Sequence, residues 1–400
     1  FKILFGNTLN HNNTEIVFVG YGIEEPDYKW NDFKGLDVKG KIMICLGGSP
    51  MKKGEPVLPE DVNKKYAGQR GIQSKIMGLF SKGAEAIILV DIDGSAGMPF
   101  QMIPSQFDTE KYIYKGDEKS NSGGMPTIYL AKPEILNAFM GENKNNPLID
   151  KENILKGYKP QILTDTYLNA SIELISEEMI MAKNVIGIVP GTDPELKDEI
   201  IVVGGHLDHV KPVNGQVCNG ADDNASGSSG VMEIAEAVAM NPCKRTMVFI
   251  TYTAEEMGLL GSRYFVDSEL FPKENFKFNL NMDMIGRSDT KNEESRAHYV
   301  VTNKKYVDAI ETFISDLNKG ITDFPIIYDN DEDSPGGSDH QTFIGEGIPA
   351  FFFFSGMHRD LHQPGDDPEK IDYAKAESIA RLGYLIVDKL GNMATIPTFE

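Results

Sequence analysis

The stretch Ile200–Gly227 opens I-I-V-V-G-G-H-L-D-H-V and, after a short loop, closes N-G-A-D-D-N-A-S-G. Its first six residues are an apolar, largely β-branched run ending in two glycines. That is the pattern of a strand buried on both faces of a parallel sheet. His206, Asp208 and His209 stand at its end. Side chains two apart on an extended segment share a face, so Asp208 is expected to reach the His206 imidazole as the carboxylate behind a metal ligand. His209 points to the other face and reads as structural. Asp222 and Asp223 follow in a Gly/Asn turn before a helical segment, Ala225–Met240, and a carboxylate at a helix N-terminus stays ionised. Taken alone, a hydrated acidic loop with a stray histidine explains the stretch equally well.

Three later segments shift the balance. Thr246–Tyr252 is a second buried-strand pattern, and T-A-E-E follows it with Glu255 and Glu256. Phe278–Leu280 leads into N-M-D-M-I-G, which puts Asp283 at a strand end. Ile348–Phe354 is a further apolar run, followed by S-G-M-H-R-D-L-H-Q-P-G-D-D. Four strands thus deliver His, Asp or Glu at their carboxyl ends, the edge where open α/β sheets bind ligands. Of the seven histidines, only His11 and His298 fall outside these stretches and the S-D-H of Ser338–His340.

These motifs resemble the co-catalytic zinc aminopeptidases, the family of secreted bacterial leucyl-type enzymes. Glutamate carboxypeptidase II, the transferrin receptor and the glutaminyl cyclases are its more distant members. The likeness runs from Ala182 to Leu390, with the motifs in the family's order. It implies a zinc-exopeptidase fold, α/β with a mixed, mainly parallel sheet flanked by helices. It implies two zinc ions per chain. His206 and Asp283 would hold one, Glu256 and His362 the other, and Asp223 would bridge them. Glu255 would be the general base, and Asp208 would orient His206. Asp222 rivals Asp223 as the bridge, but the family motif places the ligand directly before the asparagine. His358 rivals His362, but H-Q-P-G-D-D follows the family pattern around the ligand histidine. His340 is either a substrate contact or a hydrogen-bonded structural residue. Leu361 departs from the family, which often has a tyrosine there to help hold the oxyanion.

The donor types point the same way. Histidine and carboxylate ligands without thiolate suit zinc that keeps an open position for water. Two metals bridged by a carboxylate lie about 3.5–4 Å apart and share a hydroxide nucleophile. A neighbouring glutamate takes the proton from the water and delivers it to the leaving amine.

Acidic residues number 60 against 39 basic ones, a net charge of −21, which argues against nucleic acid or an anionic membrane as partner. The balance is compatible with a substrate whose bound end is cationic, such as a peptide's free N-terminus. No stretch reaches the ~18 apolar residues of a membrane span. Cys45, Cys218 and Cys243 are too few and too odd in number for a disulfide framework; Cys45 reads as a buried small hydrophobe and Cys218 as packing rather than a ligand. The chain opens Phe1-Lys2-Ile3 without a visible signal peptide, as expected of a processed or trimmed form, and the resemblance implies an extracellular or periplasmic location.

Upstream, strand patterns fall at Glu15–Gly22, Val38–Leu46, Ala84–Asp91 and Met125–Leu130. Gly71–Lys82 has helical spacing, with Ile72, Ile76, Leu79 and Phe80 on one face. This region resembles the smaller β-rich protease-associated domain of the family and is expected to span residues 1–163. The catalytic domain, 164–400, would begin within the polar run Asn143–Tyr167, near Lys159–Thr166, with Ala170–Leu174 as an antiparallel edge strand. Three function classes compete: a two-zinc aminopeptidase or carboxypeptidase, a one-zinc glutaminyl cyclase, and a metal-free binding protein like the transferrin receptor. The presence of all five ligands and the base argues against the last. The His206 and Asp283 pair, needed only for a second metal, argues against the cyclase. Among exopeptidases, a carboxypeptidase needs a cationic anchor for the substrate carboxylate. Of Arg263, Arg287 and Arg359, only Arg287 is placed to serve.

Overall fold

A computed structural model of the chain describes residues 2–5, 9–52, 55–66, 68–91, 112, 114, 127–140, 159–172, 179–213, 215–290, 293–330 and 337–397. The chain forms two compact units, Phe1–Tyr112 with Gly116–Met179, and Ile180–Glu400 with Ile113–Lys115.

The first unit is built on strands β1 (Lys2–Phe5), β2 (Leu9–Phe18), β3 (Ile42–Leu46), β4 (Ala86–Val90), β5 (Thr127–Ala131) and β6 (Gln161–Ile172). They lie in the order β1-β5-β4-β3-β2-β6. The four middle strands run parallel and the two edges antiparallel. Ile42, Ile44 and Leu46 enter one apolar cluster, and Met43 and Cys45 the other. The β-rich layer expected here therefore has helices on both faces, α1 (Glu60–Tyr66) and α3 (Ile135–Met140) on one and α2 (Gly68–Ser81) on the other. This explains why the central β3 and β4 read as continuous apolar runs without alternation.

The expected division at 163/164 falls inside β6. That strand pairs with β2 from Gln161 opposite Phe18 to Ile172 opposite Leu9, so it belongs to the first sheet, and the division between units follows Met179. Ala170–Ile172 is an edge strand as expected, but of the other unit. The backbone ladder, which no side-chain pattern reports, decides its membership. The polar run at 143–158, Glu173 and Leu174 lie outside the described residues.

The second unit holds β7 (Val185–Val189), β8 (Ile200–His206), β9 (Thr246–Tyr252), β10 (Phe276–Met282), β11 (His298–Thr302), β12 (Ile326–Asn330) and β13 (Ala350–Phe354). Their order is β7-β9-β8-β10-β13-β11-β12. The central β9, β8, β10 and β13 are parallel, while β7 and β11 run antiparallel to their neighbours β9 and β13. Alternate residues leave on opposite faces. Ile201, Val203, Met247 and Phe249 pack under α4 (Gly227–Met240), α6 (Val307–Leu317) and α8 (Tyr373–Asn392). Ile200, Val202, Val248 and Ile250 pack against α5 (Leu260–Asp267) and α7 (His340–Gly345). The result is the mixed, mainly parallel α/β layer expected from the sequence. No helix among the described residues is long and apolar enough to cross a membrane.

Gly204 permits the tight fit at the end of β8. A Cβ there would lie 2.5 Å from the Tyr252 ring of the neighbouring strand. The four parallel strands end together, and the chain turns out of the sheet after His206, Tyr252, Met282 and Phe354.

Candidate metal centre

His206 is the last residue of β8 and is buried. Its Nε2 lies 3.2 Å from Asp223 Oδ1 and 3.3 Å from Asp283 Oδ1. On the opposite side of Asp223, Oδ2 lies 3.0 Å from His362 Nε2, which is also 3.1 Å from Glu256 Oε2. The Asp223 carboxylate therefore stands between two imidazoles, with a second carboxylate beyond each.

The turn that carries Asp223 is fixed by its neighbours. Asn224 Nδ2 donates to the Met282 carbonyl at 3.0 Å, and its Oδ1 accepts from the backbone N–H of Gly227 and Met284. This ties the start of α4 to the end of β10 and so sets Asp223 beside Asp283. The Asp366 carboxylate accepts from the backbone N–H of Asp222 and Asp223 at 3.1 Å. Ser228 Oγ donates to the His206 carbonyl at 2.6 Å. The sequence reading had no role for Ser228 or Asp366, because a side chain that bonds distant backbone leaves no local spacing. Asn224 carried a signal, as Asn in a turn commonly bonds nearby backbone.

Asp222 faces away from the cluster. Its Oδ1 accepts from Gly286 N at 2.7 Å and Ser226 Oγ at 3.0 Å, and its Oδ2 lies 3.3 Å from His358 Nε2. Asp222 with His358 and Asp223 with His362 thus form two separate pairs. His340 is buried and stacks on Phe352, with ring centroids 4.3 Å apart. Leu361 packs against the cluster of Met284, Val301, Phe352 and Phe354, so no hydroxyl stands where the family often has tyrosine.

Two expectations need correction. Asp208 does not hold His206 with its carboxylate, whose Oδ1 is 4.0 Å from His206 Nδ1. Its backbone carbonyl contacts Nδ1 at 3.1 Å instead. The carboxylate accepts the backbone N–H of Glu255 at 3.0 Å and of Glu256 at 3.2 Å, and so pins the turn that presents both glutamates. His209, expected to face away, places Nδ1 3.1 Å from Glu256 Oε1. The strand ends at His206, so two-residue alternation stops applying at the next position.

The electrostatics follow from crowding charge in a poorly hydrated space. Burial raises Asp223, but hydrogen bonds from His206 and His362 outweigh it and hold the carboxyl well below its usual range. Burial alone would lower His362, yet Asp223 and Glu256 push it up to about 10. Glu255, unlike Asp223, moves up. Burial lifts it well above the usual carboxylate range, Asp339, Asp283 and Glu256 lift it further, and His206 opposes. Asp339 is buried and is itself pushed up to about 7 by burial. Asp223, Asp283, Glu255 and Glu256 bring four carboxylates together. Asp283 Oδ1 is buried without a well-formed hydrogen bond. Such a set is stable when cations neutralise it. Imidazole and carboxylate donors without sulfur fit zinc. Among the described residues, two donor groups are close enough for one ion each, His206 with Asp223 and Asp283, and His209 with Asp223 and Glu256.

The sequence profile of peptidase family M28 matches residues 184–387, just over half of the chain. The chain belongs to peptidase family M28. A probable leucine aminopeptidase of Trichophyton verrucosum (strain HKI 0517) is 28% identical over 235 residues, 56% of this chain and 61% of that protein. The aminopeptidase YwaD of Bacillus subtilis (strain 168) is 31% identical over 214 residues, 51% of this chain and 43% of its own. The first relatives are thus matched over less than two thirds of their length. Among solved structures, the aminopeptidase from Aneurinibacillus sp. strain AM-1 superposes with a TM-score of 0.54 at 20% identity, covering 99% of this chain and 81% of the other. That likeness shows the M28 chain's fold.

Proposed function

We propose that the chain is a zinc-dependent aminopeptidase that removes the N-terminal residue of peptides. The observation that carries this reading is Asp223, set between His206 and His362 with Asp283 and Glu256 beyond them, in an M28 chain. His206 and Asp283 would hold one zinc, His362 and Glu256 the other, and Asp223 both. Two zinc ions held there would supply Lewis acidity, polarising the scissile carbonyl and acidifying a water.

The remaining work falls to the protein. Glu255 takes the proton of the attacking water and returns it to the leaving amine. The Asp208 carboxylate holds the Glu255 and Glu256 amides, so the base and the neighbouring ligand keep a fixed relation. His206 is kept in one orientation by the Asp208 carbonyl on Nδ1, which leaves Nε2 toward the ligands. The carboxylate-rich site favours a cationic substrate end, as a free N-terminus provides. The named relatives are aminopeptidases, which supports the same direction.

Arg287, the anchor that a carboxypeptidase would require, is already engaged. Its Nη1 donates to Asp360 Oδ2 at 2.8 Å, and Lys370 shares that carboxylate at 3.0 Å. Arg359 is exposed. We read the first unit as an accessory protease-associated domain without chemistry of its own, and the site of action as extracellular or periplasmic.

The direction of cleavage is checked with an aminoacyl anilide and its N-acetylated twin. Acetylation removes the cationic charge and adds bulk where the amine sits, so the rate is expected to fall by roughly two orders of magnitude or more. Cleavage of both at comparable rates would reverse the assignment, and Arg287 would then be the first residue to replace.

A further inference from the structure

One donor in the cluster has no role in the five-ligand set. His209 Nδ1 lies 3.1 Å from Glu256 Oε1 and 3.8 Å from Asp223 Oδ2. His362 Nε2 lies 3.1 Å from Glu256 Oε2 and 3.0 Å from Asp223 Oδ2. The two oxygens of one buried carboxylate therefore each face a different imidazole. The His209 and His362 rings meet edge to face, with centroids 5.8 Å apart. One ligand atom each from His209, Asp223 and Glu256 lie within 4.8 Å of one another, near enough to share an ion. The backbone accommodates this placement. Gly220 has φ of +64°, and a Cβ there would stand 2.8 Å from the His209 ring, so any larger residue would drive the imidazole from its place.

Resting on the two-zinc reading, we propose that His209 is a sixth metal ligand, binding through Nδ1 the zinc held by Asp223, Glu256 and His362. That position then has two imidazoles and two carboxylates, one protein donor more than the other position. The position of His206, Asp223 and Asp283 has three protein donors and keeps an open place for water. The two positions are accordingly unequal. The one with His209 fills first and holds its zinc more tightly, while the other exchanges.

X-ray absorption of the full chain loaded with one equivalent of zinc counts imidazoles directly. Two per zinc are expected; one per zinc would overturn the proposal without touching the two-zinc reading. Titration against a chromophoric chelator supplies the second arm. His209→Asn keeps a group able to donate to Glu256 but is a poor ligand, and it is expected to weaken the tighter zinc about tenfold or more. Unchanged affinity would leave His209 as a hydrogen-bond donor to Glu256 only and overturn the proposal. The wild-type spectrum stands whether or not the variant folds. A wild-type chain that takes up no zinc would overturn both this proposal and the reading beneath it.

Discussion

Asp223→Ala is expected to lose zinc from both positions at once, with the affinity of each falling by roughly 100-fold or more. Loss of a mere outer-shell partner costs about 10–100-fold, and Asp223 would be a direct ligand twice over. Its two oxygens face different imidazoles, His206 at 3.2 Å and His362 at 3.0 Å. Alanine would also leave the buried His206 and the partly exposed His362 each short of one acceptor. Elemental analysis after dialysis reads the result, and thermal unfolding of the metal-free variant checks that the fold survives. Asn224 and Asp366 hold the turn by backbone bonds that the substitution does not remove. A variant that kept two zinc ions would show that Asp223 is not the bridge.

The second large effect separates two adjacent residues. Glu255→Gln keeps the shape of the side chain and removes the base, so zinc should stay while kcat falls by roughly two or more orders of magnitude. Glu256→Gln should instead weaken one zinc, because its two oxygens face His209 and His362. The surroundings of the pair explain the division. Glu256 is held below its usual range by hydrogen bonds from those histidines, which outweigh its burial. Glu255 is raised by burial and by the carboxylates of Asp339, Asp283 and Glu256. Neutralising those carboxylates with bound cations brings it back toward the range in which a carboxylate accepts and returns a proton near neutral pH. Metal loss from the Glu255 variant with zinc intact in the Glu256 variant would exchange the two roles.

The sheet of the second unit was legible because its strands are buried on both faces, so β8, β9 and β13 appear as largely apolar runs, with β10 marked more weakly by Phe278 and Leu280, and each leads into a polar motif. The cluster at their ends was legible for the same reason: a parallel sheet brings every carboxyl end to one edge. Other features left less trace. β6 carries enough polar residues to resemble a boundary, and only its ladder with β2 places it in the first sheet. Asp208 and His209 were misread because a strand rule was carried past the strand's last residue. Asp366 acts on backbone 143 and 144 residues away in the chain, a separation no spacing rule reaches. Arg287 could be identified as a cation near the site, but its bond to Asp360 depends on two loops meeting.

The most direct test strips the wild-type chain of metal with a chelator, restores zinc stepwise, and follows zinc content and aminoacyl-anilide hydrolysis together. The expected result is two zinc ions bound per chain, activity absent from the stripped protein, and activity restored as the His206–Asp283 position fills. Hydrolysis that survives complete removal of metal, or a folded chain that binds no zinc at this cluster, would contradict it.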